Sequence, residues 1–113
     1  REVGTMAKFA VFFKFKGETV KALIDKPSDR GAVVSKLCEA AGGRMDAYYL
    51  MFGAWDGFVI ADVPDSAAAA AVSLAVSSSG AFAAIETHEL VETSALPDIL
   101  SRAGGLGYTP PGG

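Results

Sequence analysis

One turn decides the fold of this chain: Gly53-Ala54-Trp55-Asp56-Gly57 lies between two apolar segments. Those segments, residues 44–52 and 58–63, are rich in aromatic and β-branched side chains, which favour β-strands. The two glycines allow backbone angles that other residues resist. A turn of this composition between two such segments predicts an antiparallel hairpin.

The part of the chain before the hairpin predicts a strand followed by a helical crossover. Residues 7–16 alternate between apolar side chains and lysines, which is the period of a strand. A short helical turn at residues 19–24 then ends at Pro27, and Ser28 is expected to cap a second helical segment that stops at Gly42-Gly43. The apolar positions of the strand are Phe9, Val11, Phe13 and Phe15, and those of the helix are Val34, Leu37, Cys38 and Ala41.

The part of the chain after the hairpin predicts a helix, a strand and a terminal helix. Asp65 is a favourable N-cap for the alanine-rich run that follows it, and Gly80 closes that helix. Residues 81–90 form a fourth strand. Residues 93–102 indicate a further helix, which Pro97 confines to a start at Leu96 or later, and residues 104–113 form a Gly/Pro tail.

The resulting order, βαββαβ, predicts an α+β domain of the ferredoxin-like type, with a four-stranded antiparallel sheet and the helices on one face. We assign residues 6–92 to this domain and residues 93–113 to a C-terminal helix and tail. Residues 1–5 precede Met6 and are interpreted as a tag or upstream remnant.

The two faces of the predicted sheet differ in character. The odd-numbered positions within residues 9–15, 45–51, 59–63 and 83–87 carry no charge and are expected to meet the helices. Even-numbered positions mix charges with large apolar groups, which is unusual for a face that meets water alone. The large even-numbered side chains are Phe12, Tyr48, Leu50, Phe52, Phe58, Ile60 and Phe82.

This uncovered face predicts a homo-oligomer, at least a dimer. The simplest arrangement packs the even faces of two sheets about a twofold axis, a dimeric α/β-barrel type assembly. The alternative is a monomer in which the C-terminal helix folds over the sheet.

The chain resembles the GYD domain family of small bacterial and archaeal proteins between Met6 and about Leu90. Trp55 stands where the family name places a tyrosine, so the ring is kept and the hydroxyl is lost. The resemblance implies a ferredoxin-like fold similar to dimeric α/β-barrel proteins and no agreed biochemical activity. It rests on Met6-Ala7-Lys8, Lys14-Phe15, Ala41-Gly42-Gly43, Ala47-Tyr48-Tyr49, Gly53-Ala54-Trp55-Asp56, Pro64-Asp65 and Ser79-Gly80.

Composition argues against several classes of partner. A net charge of −3 and the lack of a Lys/Arg cluster disfavour nucleic acid. Residues 66–85 are uncharged, but they are mostly alanine and contain Ser77-Ser78-Ser79-Gly80, so a membrane span is not expected. One cysteine and one histidine are too few for a metal site, and no cofactor is predicted. A reducing, cytoplasmic setting fits the single thiol best.

The strongest acid/base candidate is His88, the only histidine, with Glu86 on the same side of its strand to orient the imidazole. Asp56 either caps the turn or points into a cavity, and capping is favoured. If Phe52 pairs with Phe58, Tyr48 lies opposite Asp62 and Leu50 opposite Ile60. The candidate ligand-binding residues are Phe12, Tyr48, Trp55, Asp56, Phe58, Ile60 and Asp62.

Two functions follow from these residues. The first is a homo-oligomeric domain that binds a small apolar or aromatic ligand, or serves as a structural module, through its open sheet face. The second is a cofactor-independent enzyme acting on a small hydrophobic metabolite, with His88 as acid/base and Tyr48 or Asp62 polarising the substrate.

Overall fold

The computed structural model describes residues 6–112. Four strands form one antiparallel sheet, in which the second strand along the chain lies at one edge and is followed by the third, the first and the fourth; this order confirms the ferredoxin-like α+β fold. The expectation for residues 1–5 lies outside the described residues. The strands are β1 (Ala7–Phe15), β2 (Arg44–Leu50), β3 (Gly57–Val63) and β4 (Phe82–Leu90), and the helices are α1 (Gly17–Asp25), α2 (Arg30–Ala40), α3 (Ser66–Ser77) and α4 (Leu96–Gly104).

Local capping chemistry sets the helix starts. The Asp65 carboxylate accepts a hydrogen bond from the Ala68 amide at 2.9 Å, as predicted for the start of α3. The cap of α2 is Asp29, which accepts from the Ala32 amide at 3.1 Å, so the prediction of Ser28 is wrong by one residue. The C-terminal helix α4 begins at Leu96, as Pro97 requires.

The hairpin forms, but its register differs from the one considered above. β2 ends at Leu50, which pairs with Gly57, so Phe52 lies in the loop and is fully exposed. Gly53 has φ +131°, which confirms its conformational role. Gly57 is required for another reason: a Cβ there would lie 2.6 Å from the backbone carbonyl oxygen of Tyr49 and 2.5 Å from Cζ of Phe13.

Two β-bulges change which side chains face the helices. In β2 the register shifts between Met45 and Ala47, so Asp46 is the extra residue and Tyr48 pairs with Val59 on the helix side. In β4 the pairing passes from Phe15–Phe82 to Lys14–Ala84, so Ala83 is the extra residue. The expected placement of Tyr48, Leu50 and Phe82 on the uncovered face is therefore wrong, and Tyr49 lies there instead.

The core lies between the sheet and helices α2 and α3. Phe13, Cys38, Val59 and Ala61 form one buried cluster, and a second cluster is built on Phe9, Val63 and Ala69. Helix α2 packs against β2 and β3, and α3 packs against β3 and β4. No helix within residues 6–112 packs on the other face of the sheet.

Helix α4 leaves the domain rather than covering the sheet. Every residue of α4 is exposed, and the helix packs mainly against the 3-10 turn Thr93–Ala95 that precedes it. The alternative in which the C-terminal helix folds over the open face is therefore wrong for this structure. No helix within residues 6–112 has both the length and the apolar character needed to cross a bilayer.

Candidate functional site

The sheet surface without helices, here called the open face, has aromatic rings at its middle. The Phe12 ring stacks on Phe58 with centroids 5.7 Å apart and lies 6.1 Å from Trp55, while Tyr49 lies 5.6 Å from Phe58. Ile60 continues this surface on the next cross-strand row. We call Phe12, Tyr49, Trp55 and Phe58 the aromatic centre.

His88 and Glu86 lie beside the aromatic centre on β4. His88 Nε2 and Glu86 Oε1 are 2.6 Å apart, which confirms the expected local contact between the two residues. Because a carboxylate only accepts, the ring donates from Nε2 and a neutral imidazole keeps its Nδ1 lone pair free. The Phe12 ring meets the imidazole edge-on, at 6.1 Å between centroids.

One end of the open face carries a four-residue charge cluster. The Lys8 ammonium contacts the carboxylates of Asp46 and Asp62, the latter at 3.0 Å. Arg44 Nε lies 3.1 Å from Asp46 and 3.3 Å from Asp62. The hydrogen bond from Lys8 lowers the pKa of Asp46, and the bonds to Asp46 and Asp62 raise the pKa of Lys8. Asp62 is therefore held by two cations rather than left free to polarise a substrate.

Asp56 joins the hairpin loop to β1 at the other end of the open face. Its Oδ2 accepts from the Phe15 amide at 2.8 Å, and its own amide donates to the Phe13 carbonyl at 2.8 Å. Lys14 Nζ lies 3.6 Å from Oδ1. The carboxylate therefore satisfies a backbone donor, as the capping interpretation required, but the donor belongs to β1 and not to the turn.

The open face brings most of the candidate residues together and leaves one out. Tyr48 lies against Phe13 on the helix side, with ring centroids 5.7 Å apart, because the bulge at Asp46 turns it over. Burial raises the pKa of the Tyr48 hydroxyl, and the nearby Arg30 charge opposes that rise. The candidate residues on or beside the open face are Phe12, Trp55, Asp56, Phe58, Ile60, Asp62, Glu86 and His88.

Sequence reasoning missed Tyr49 and the cations Lys8 and Arg44. Adjacent tyrosines point to opposite faces of a strand, so one of the pair had to lie on the open face whatever the register. Lysine and arginine at even positions, with aspartates at even positions of the neighbouring strand, were a readable signal for the charge cluster.

Neither metal chemistry nor thiol chemistry is supported by the described residues. Within residues 6–112 no group of three or more His, Cys, Asp and Glu side chains is arranged to hold a metal ion. Cys38 is only 2% exposed, and burial raises the pKa of its thiol, which disfavours the reactive thiolate.

Comparison with known proteins identifies a family for this chain and carries no activity with it. Among proteins with curated descriptions, none matches this chain. A solved structure of a protein of unknown function from Nitrosomonas europaea is similar, with 23% identity over 79% of this chain and 92% of that one, at a TM-score of 0.44. The model of the GYD domain matches residues 9–100. The chain therefore belongs to the GYD domain family.

Proposed function

We propose that this protein is a homodimeric ligand-binding domain in which the open faces of two sheets pack together about a twofold axis. The dimer encloses a site for a small apolar or aromatic molecule between the two aromatic centres. When two sheets pack face to face, the side chains at alternate positions of each strand are buried between them, as in other structures made of two stacked sheets. The free Cys38 thiol is consistent with a reducing, cytoplasmic setting.

One observation carries this proposal: no helix of the described residues packs on the rings at the middle of the open face, while the polar groups around them already have partners within the chain. Tyr49 is 60% exposed there, and Phe12, Trp55 and Phe58 are half-buried. Lys14 pairs with Asp56, the Glu86 carboxylate accepts a hydrogen bond from His88, and the charge cluster at the other end is internally paired. Burying a paired charge costs far less than burying an isolated one. The open face is therefore suited to an apolar partner surface.

The dimer is tested by placing a charge at its centre. Phe12→Glu buries an unpaired carboxylate between the sheets. We therefore expect the Kd of the dimer to rise at least a hundredfold, which corresponds to a loss of about 3 kcal/mol or more in the free energy of association. Sedimentation equilibrium and native mass spectrometry measure the subunit number, and the mass spectrum also shows any small molecule retained by the wild type.

The matched control is Leu74→Glu, which places the same charge on the outer surface of α3, where Leu74 is 70% exposed. We expect this variant to remain a dimer and to keep any retained molecule. A monomeric wild type, or dissociation by Leu74→Glu and not by Phe12→Glu, would rule out the open-face dimer.

The contact between Glu86 and His88 favours a second candidate, a cofactor-independent enzyme. A carboxylate that holds Nε2–H leaves the Nδ1 lone pair available as a base on a ring that contacts the aromatic centre, and proton abstraction from a small hydrophobic metabolite requires such a base within hydrogen-bond reach. Tyr48 and Asp62 have no part in this version, since the first lies on the other face and the second is bound by Lys8 and Arg44.

His88→Ala separates the two candidates. If the protein is an enzyme, turnover of the molecule recovered with the wild-type dimer should fall by about 10²- to 10⁴-fold while the dimer stays intact. Glu86→Gln keeps a hydrogen-bond acceptor for the imidazole, so turnover by this variant should fall less. If the wild type does not turn the molecule over, and His88→Ala still dimerises and retains it, the function is binding.

A further inference from the structure

The helix side of the sheet contains a cavity that the core side chains do not fill. Helices α2 and α3 make no substantial contact with each other, and between them and the sheet lies a cavity of about 70 Å³. Protein interiors are normally close-packed, so an apolar gap of this size forfeits contacts that a bound molecule restores.

The sequence of α3 explains why the gap exists. The residues that this helix turns toward the sheet are small, with Ala69, Val72 and Val76 at the cavity wall. Shorter side chains at these positions cannot reach across to β1 and β4.

The cavity wall is almost wholly apolar, and the two residues with polar groups that line it also lie at its border. Arg30 and Tyr48 line the inner cavity and also the outer groove beside it, which runs past Pro27 and Leu50. The positive charge of Arg30 lowers the pKa of the Tyr48 hydroxyl, against the larger rise that burial causes. The remaining wall is formed by apolar side chains and Cys38.

Arg30 is a half-buried residue, and its guanidinium makes no ion pair with any residue of the described chain. The acidic side chains of the groove are engaged elsewhere: Asp29 caps α2, and Asp46 is bound by Lys8 and Arg44. An unpaired guanidinium beside a phenol hydroxyl is a fitting partner for a carboxylate.

We infer that this cavity is a binding site for a small carboxylic acid with a short apolar tail. The tail occupies the gap beneath α3, and the carboxylate meets Arg30 and the Tyr48 hydroxyl at the mouth. This site lies on the opposite side of the sheet from the open face, so it is independent of the dimer and of the molecule held there.

Hexanoate, 1-hexanol and hexylamine, which share one tail, are the probes for this site. In methyl-labelled protein, hexanoate should shift the signals of Val34, Val72 and Ile85 saturably, hexanol more weakly, and hexylamine not at all. Ile60 on the open face is the internal reference and should not move. Shifts at Ile60 in place of Ile85, or no saturable shift with hexanoate, would overturn the assignment.

Variants separate the head group from the tail. Arg30→Gln should weaken the binding of hexanoate about tenfold or more and leave the binding of hexanol unchanged, because only the carboxylate interacts with the guanidinium charge. Arg102→Gln on α4 is the matched control and should change neither. Ala69→Leu fills the gap and should abolish binding of both while circular dichroism reports the fold. Equal hexanoate affinity in wild type and Arg30→Gln would overturn the role of the guanidinium.

Discussion

Asp56 forms hydrogen bonds to the backbone of a neighbouring strand, as a strand residue would. Its carboxylate and its amide bond to consecutive odd positions of β1, Phe15 and Phe13, and its carbonyl accepts from Met51 to close the loop. The residue therefore links the hairpin loop to the central strand of the sheet. Trp55, the residue before it, is thereby held beside Phe12 at the aromatic centre.

Removing this link should be costly. Asp56→Ala leaves the half-buried Phe15 amide without its acceptor, so we expect a loss of about 1–3 kcal/mol in the free energy of unfolding, measured by urea denaturation. Asp56→Asn keeps an oxygen acceptor and should lose less. Asp25→Ala is the control, because it breaks only an exposed pair with Lys21 and should cost under about 0.5 kcal/mol. Equal losses for Asp56→Ala and Asp25→Ala would contradict the role given to the link.

The strands of this sheet show what an extra residue does to a face. In β2 the bulge lets Asp46 reach Lys8 while Tyr48 enters the core, and Tyr49 then joins Phe58 on the open face. In β4 the bulge at Ala83 lets Phe82 stack on Phe15, with centroids 5.2 Å apart, and still leaves Glu86 and His88 on the open face. Both bulges thus place an aromatic ring in the core and preserve the polar pair outside it.

The molecule as a whole divides into a domain and a projecting helix. Helix α4 has Leu96, Ile99 and Leu100 exposed, and its Asp98 and Arg102 pair along the helix at 3.3 Å. The match to the GYD domain reaches residue 100 and so includes the first half of α4. The domain core, however, is complete without this helix.

Ending the chain after Glu92 tests this division. Because α4 contributes no side chain to either core cluster, we expect the shortened protein to fold with its Tm changed by less than about 4 °C, which corresponds to under about 1 kcal/mol. The open-face dimer should persist in sedimentation experiments, since α4 is not part of the surface it uses. Loss of the dimer in the shortened protein, with the fold intact, would assign assembly to α4 instead.

Short-range chemistry was sufficient to predict the order of elements and the fold. The Gly-Ala-Trp-Asp-Gly turn, the alternating pattern of β1, the cap at Asp65 and the break at Pro97 each act within a few residues, so they can be read from the chain directly. The same holds for the contact between Glu86 and His88, which are two positions apart on one strand.

Contacts between distant segments set the rest. A period-2 pattern does not show where a bulge occurs, so it could not predict which of Tyr48 and Tyr49 faces the helices. The bulge leaves one residue of β2 without a cross-strand partner, and the burial of the Tyr48 ring and the Lys8–Asp46 ion pair offset that cost. The cavity beneath α3 and the position of α4 away from the sheet likewise depend on the distances between separate helices and strands. Those distances arise from packing, and packing is a property of the folded chain.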